Sequence, residues 1–139
     1  MIGFCMDDNG IPAIAEERAV VAEEIARAAQ TGIPTEDVII DPLAMSKCAD
    51  SRANRVTLDT IHLVVREFWV NIIMGASNVS FDLPDRKLIN TAFMTMAIQV
   101  GLTCPITKPL VTEINTAVLA ADLAIGKDDI CTHWVPAYS

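Results

Sequence analysis

Four short runs of apolar residues punctuate the chain. Each precedes a longer stretch in which apolar residues return every three or four positions. The runs are Ile2–Met6, Val38-Ile39-Ile40 ending at Asp41-Pro42, Asn71-Ile72-Ile73-Met74 ending at Gly75, and about Thr103–Thr107. Short continuous apolar runs bounded by turn residues fit strands buried on both faces, as in a parallel sheet. Their starts lie about 32–36 residues apart. An eight-unit parallel barrel of ~250 residues spends ~31 residues on each unit.

The stretches between them predict helices. Ile14–Ala29 places Val21, Ile25 and Ala28 on one face, and Glu23 precedes Arg27 at the favourable i,i+4 spacing. Gly32-Ile33-Pro34 ends that helix. The second helix aligns Leu58, Ile61, Val65 and Phe68. The third aligns Ile89, Ala92, Phe93, Met96, Ala97 and Val100, with Asp85 expected to cap its start and Gly101 to close its end. The Met94/Met96 pair is expected in the core. A fourth runs from a Thr112 cap through Ile114, Ala117, Val118, Ala121 and Ile125 to Gly126.

Strand–helix alternation predicts an α/β fold with a parallel sheet. Right-handed crossovers put all the helices on one face if the strands lie in sequential order, which makes a barrel sector. A doubly wound sheet is the alternative. Four units cannot close an eight-stranded barrel, so a sector leaves two strand edges and an inner apolar face to cover. The chain is therefore expected to pair with another copy or to be the C-terminal half of something larger.

Composition narrows the function. The 139 residues form one expected domain, 52% hydrophobic, with 18 acids against 10 bases and a net charge of −8. That balance argues against nucleic acid and against an anionic membrane face. No apolar run reaches the ~18–20 residues of a membrane-spanning helix, and Asp7-Asp8 interrupts the N-terminal run too early for a signal peptide. Cys5, Cys48, Cys104 and Cys131 are separated by 43, 56 and 27 residues, which is no metal-ligand spacing. They read as small buried thiols of a cytoplasmic protein, and no metal is expected. His62 and His133 have no catalytic partner at motif spacing. Nucleotide-binding glycine motifs, GxSxG and HExxH are absent.

In a parallel barrel, chemistry gathers where strands end. Asp7-Asp8-Asn9-Gly10 follows the first strand, Asp41-Pro42 the second, and Gly75-Ala76-Ser77-Asn78 the third. The first is equally an ordinary turn. Asp41 ends an apolar strand and is expected to be partly buried, so it needs donors. A ring N–H beside an amino group, the edge of an aminopyrimidine or pterin, would supply two parallel bonds. Asn78 offers a donor and an acceptor, which suits a heteroatom held through a change of protonation. Gly75 allows a flat ring to approach the backbone. Arg86 opens the third helix, where a cation meets the unfavourable end of the macrodipole, so an outside partner is conceivable there.

The run Met74-Gly75-Ala76-Ser77-Asn78-Val79-Ser80-Phe81-Asp82-Leu83-Pro84-Asp85-Arg86 closely resembles a signature of pterin-binding methyltransferases, G-x-S-N-V-S-F-G-L-P-x-R. Lys87-Leu88-Ile89-Asn90 and Gly101-Leu102 continue it. Cys5–Pro12 with Ala15-Glu16-Glu17-Arg18 is similar to the fifth strand and helix start of that family's barrel, and Ile39–Leu43 to its sixth strand. By pattern the chain resembles the methyltetrahydrofolate:corrinoid methyltransferases, including the enzyme serving a corrinoid iron–sulfur protein. These are related to the folate module of cobalamin-dependent methionine synthase.

The resemblance implies a fold and a role. The fold is the C-terminal half of a TIM (β/α)8 barrel of the pterin-binding type, with residues 1–139 as its strands and helices 5–8. The implied activity is one-carbon metabolism: transfer of a methyl group from N5 of methyltetrahydrofolate to the cobalt of a cobalamin-type corrinoid on a partner protein. Asn78 would be catalytic, beside N5. Asp41 would grip the aminopyrimidine edge, Gly75 and Ser77 would floor the ring, and Arg86 would lie near the pterin. The family barrel dimerises, so the implied partners are the corrinoid protein and either a second copy or a complementing N-terminal half-barrel. That half carries further pterin contacts, so a non-catalytic half-barrel is the alternative, and a dihydropteroate synthase-like pterin enzyme a related one. Three positions depart from the pattern: Asp82 replaces a glycine, Ala76 a larger residue, and Cys104–Pro109 an alanine-rich strand.

Overall fold

The computed structural model describes residues 1–46 and 50–139, and Cys48 lies outside them. Four parallel strands form one sheet in the order β1 (Ile2–Phe4), β2 (Ile39–Asp41), β3 (Asn71–Gly75) and β4 (Cys104–Ile106). The sequential order excludes the doubly wound alternative, in which strand order reverses. Four helices follow their strands: α1 (Ala15–Ala29), α2 (Ala53–Phe68), α3 (Arg86–Val100) and α4 (Thr112–Ala124). A short α5 (Trp134–Ala137) follows the last unit. Its Trp134 ring lies 4.6 Å from that of Tyr138. No described helix is long and apolar enough to cross a membrane.

Register and burial separate the two faces of the sheet. Gly3 is level with Ile40, Ile40 with Ile72, and Met74 with Pro105. Ile40, Ile72 and Met74 are fully buried beneath the helices, with Ile61, Val64, Phe93 and Ala97. On the opposite face Ile2, Phe4 and Ile106 are 52%, 50% and 57% exposed. Apolar residues on both faces are what a closed barrel requires: one packs on helices and the other fills the interior. These four βα units are a partial TIM barrel whose interior face lies open.

Glycines set the two tightest joints. A Cβ on Gly3 would sit 2.6 Å from Ile25 Cγ2, so α1 packs directly on the backbone of β1. Gly101 closes α3 in a left-handed turn (φ 118°), with Leu102 N–H donating to the Ala97 carbonyl at 2.9 Å. A Cβ there would meet Val65 at 2.8 Å.

Some local expectations fail. The buried face of α1 centres on Ala15, Arg18, Ala19 and Ala22, and Ala28 is exposed. The stripe on α3 is rotated by about a residue, burying Met94 and Ile98 and exposing Ala92 and Met96. Both helices carry small or apolar residues most of the way round, so period alone does not choose the face. Neither expected cap forms a side-chain bond. Asp85 is left-handed (φ 49°) rather than extended, and Val111 takes the cap position before Thr112.

Candidate functional site

The strands point their C-terminal ends at one rim, and each junction arrives by a different local device. After β1 the chain turns back on itself. Asp7 and Gly10 exchange backbone bonds of 3.0 Å, and Asn9 N–H donates to Asp7 Oδ1 at 2.7 Å. The Asp7 carboxylate therefore serves its own turn.

After β2, Asp41 stands on the inner face, level with Phe4. Its Oδ1 accepts the Leu43 N–H at 2.8 Å, while its own carbonyl accepts the Cys5 N–H at 2.9 Å. Burial pushes the carboxyl upward from its ordinary 3.8, opposed by the Leu43 bond. A half-buried carboxylate with one local donor keeps acceptor capacity for a ligand. Behind it, the Cys5 thiol is pushed up to about 12 by burial, partly offset by nearby Arg18. It stays protonated at neutral pH and serves as packing. Cys104, by contrast, is exposed and Cys131 half-buried, against the expectation of buried thiols.

After β3, Gly75 and Asn78 act together. The Cβ that Gly75 lacks would lie 3.0 Å from Asn78 Nδ2. The Asn78 amide thus occupies the space a side chain at Gly75 would take, against the inner face of the strand end. The space expected for a ring above Gly75 holds this amide instead. Because Ile40 is level with Ile72, Asp41 is one strand over and two residues short of Gly75. Strand spacing of ~4.8 Å and a rise of ~3.3 Å per residue put the two Cα atoms roughly 8 Å apart. A two-ring heterocycle can bridge a carboxylate and an amide so spaced.

The loop beyond is held by Arg86. Its Nε donates to Ser80 Oγ at 3.0 Å, its Nη2 to the Ser77 carbonyl at 3.1 Å, and its guanidinium lies 4.8 Å over the Phe81 ring. Such a cation–aromatic contact orders both groups. Ser77 is exposed and contributes its carbonyl to this knot. Ser46 Oγ donates to the Phe81 carbonyl at 3.2 Å, tying the loop after β2 to the loop after β3. Asp82 is left-handed (φ 62°), which explains why the signature carries glycine there and why aspartate, tolerant of that region, can replace it.

Ser77, Arg86, Lys87, Asn90, Thr107 and Lys108 line a cleft of about 340 Å³ between the ends of β3 and β4. Lys87 pairs with Glu113 across α3 and α4 at 2.7 Å. Asn90 Oδ1 is buried with no hydrogen-bond partner among the described residues. His62 and His133 are both exposed. Sequence reasoning overlooked Arg18, buried at 4% exposure beneath this rim. It sits in an alanine-rich stretch, where an arginine reads as surface.

The structure brings Asp41, Gly75 and Asn78 together on the inner face and sets Ser77 and Arg86 in the adjoining loop. A carboxylate and an amide so placed can orient a flat heterocycle and stabilise a charge on it. A family model described as pterin binding enzyme matches residues 9–108. A methylcorrinoid:tetrahydrofolate methyltransferase of Eubacterium limosum is 28% identical over 141 residues, covering 99% of this chain and 52% of that relative. The chain spans about half the length of that relative.

Proposed function

The chain belongs to the pterin-binding enzyme family, and from that premise we propose that it supplies the pterin-holding rim of a methyltransferase. The methyl group moves between N5 of tetrahydrofolate and the cobalt of a corrinoid on a partner protein. The relative's name puts the methylcorrinoid first. Either direction crosses the same transition state, so one set of residues serves both. The observation that carries this reading is the pairing of Asp41 with the Gly75–Asn78 amide on the inner face.

In this reading Asp41 accepts the amino and ring N–H groups of the pterin as two parallel charge-assisted bonds. Asn78 faces N5. When the methyl group leaves N5, the bonding electron pair stays on nitrogen, and that nitrogen departs readily only once protonated. The Asn78 amide can accept from the protonated nitrogen and donate to the neutral one, so it favours the charged transition state without being an acid itself. Gly75 keeps the amide in place. Arg86 fixes the loop edge beside the pterin, with Ser77 contributing backbone. The corrinoid supplies the cobalt that takes or gives the methyl group.

The open inner face supports a second element of the proposal. Residues 1–139 are one domain equivalent to units 5–8 of the barrel, and four further βα units close it and complete the pterin site. Ile2, Phe4 and Ile106 are about half-exposed, so covering them would contribute about half of the ~1.5–3 kcal/mol that full burial of each side chain brings. The reading also places the reaction in cytoplasmic one-carbon metabolism. It is tested by assaying methyl transfer to a corrinoid protein with wild-type and Asn78→Ala barrels. Loss of transfer with folate still bound supports it, and an unchanged rate refutes the role of Asn78.

A further inference from the structure

Arg18 occupies the buried face of α1 among Ala15, Ala19 and Ala22. A buried cation is costly unless its donors are all met. Here Nε donates to the Pro12 carbonyl at 2.8 Å, and Nη1 donates to the carbonyls of Pro42 at 2.8 Å and Leu43 at 3.1 Å. All three partners are backbone oxygens, and they belong to the loops that follow β1 and β2. An apolar residue at this position would take the side-chain donor from the Pro12 and Pro42 carbonyls and leave the Leu43 carbonyl only a long contact from Thr57, which a buried acceptor tolerates poorly. A lysine offers a compact ammonium where the planar fork reaches both loops.

The turn that Arg18 holds is strained. Leu43 adopts φ 60°, the left-handed region that a branched L-residue avoids. In that conformation the Leu43 N–H reaches Asp41 Oδ1 at 2.8 Å. The order of dependence is therefore continuous. The guanidinium fixes the Pro42 and Leu43 carbonyls, their peptides fix the turn, and the turn aims the Leu43 N–H that fixes the carboxylate. Thr57 Oγ1 adds only a long contact, 3.5 Å, to the Leu43 carbonyl.

We propose that Arg18 is a positioning residue for Asp41, setting the orientation of the carboxylate through the left-handed Leu43 turn. The ligand it serves rests on the pterin reading above, but the positioning itself does not. Without the guanidinium, the turn relaxes toward ordinary backbone, the Leu43 bond opens, and Asp41 rotates freely.

Amide hydrogen exchange reads the first link without any ligand. In Arg18→Lys, the Leu43 amide should exchange at least about tenfold faster while the amides of Ile61 and Val64 in α2 keep their rates. In the unsubstituted chain, the Arg18 Nε–H and the Leu43 N–H should show the same opening free energy. This second measurement decides the matter should the variant fail to fold. The second link is read with methyltetrahydrofolate and the chain complemented by the four further units. Arg18→Lys should weaken its binding about tenfold, the loss should not add to that of Asp41→Asn, and Leu43→Gly should restore part of it, since glycine adopts the left-handed turn without strain. Unchanged Leu43 exchange, opening of Leu43 independent of Arg18, or fully additive losses would each overturn the proposal. A complemented chain that binds no methyltetrahydrofolate would count against the pterin reading, while the exchange rates would still decide the role of Arg18.

Discussion

Asp41 shows what a half-buried carboxylate costs the fold that carries it. Burial raises its pKa above the ordinary 3.8, so the folded chain holds this proton more tightly than the unfolded one. Stability contributed by Asp41 is therefore highest when it is protonated and falls as pH rises through the raised pKa. Asp41→Asn keeps an oxygen for the Leu43 N–H and removes the buried charge. We expect the variant to melt at or above the native temperature at pH 7, with the difference vanishing below the unfolded pKa. Pterin binding should nevertheless weaken by about 1.5–3 kcal/mol, the worth of hydrogen bonds to a charged group. Asn78 gives a sharper case. Its replacement by alanine should cost about 2.7–4 kcal/mol at the transition state. Gly75→Ala should approach the same loss in methyl-transfer assays, because the new Cβ would press on Asn78 Nδ2. The strand-end positions of Asp41, Gly75 and Asn78 are legible in the sequence, because each follows an apolar run. That the two last residues share one space was not, since it depends on where the turn at 78–80 folds back. Arg18 was hidden for a related reason: its three acceptors are backbone carbonyls, which carry no side-chain signature.

Between elements, contact distances decide more than propensity. α1 can approach β1 only because Gly3 has no side chain. Gly3→Ala should destabilise the chain by about 1–3 kcal/mol, as overpacking does. Ile25→Ala in the same chain should return part of that loss, because the clash is with the Ile25 side chain. Chemical denaturation of the single and double variants checks the coupling, and strictly additive effects would contradict it. All four strands fell within the runs that the apolar pattern marked, because a buried parallel strand must be apolar throughout. Helix faces were less legible. On α2 the expected line keeps Ile61 fully buried, but Leu58, Val65 and Phe68 are half-buried at its edge, and Thr57, Thr60 and Val64 fill the face. α3 was read about a residue out, because Met94 and Ile98 compete with Ala92 and Met96 for the same interior. The caps misled for a backbone reason. Asp85 has the right side chain in the wrong conformation, as the signature brings the chain into α3 through two left-handed aspartates, Asp82 and Asp85.

For the molecule as a whole, the exposed inner face is the main departure from a self-sufficient fold. The sequential strand order makes it a barrel interior, and the chain covers 52% of the relative's length. Substituting Phe4 and Ile106 by serine should change the stability of the separate chain by no more than about 0.5 kcal/mol each, as at other exposed positions. The same changes should weaken association with a complementing set of units, which sedimentation of the mixture would show. Sequence alone argued for this open face by counting units, but not for which residues it exposes, because that follows from register.

The central claim is that Asp41 and the Gly75–Asn78 amide form one pterin-holding rim. Calorimetric titration of methyltetrahydrofolate into the chain complemented by four further βα units, beside the same assembly carrying Asp41→Asn, tests it most directly. The account predicts saturable one-to-one binding that weakens at least about tenfold in the variant. A complemented chain that takes up no methyltetrahydrofolate, or binds it equally well without the Asp41 charge, would contradict it.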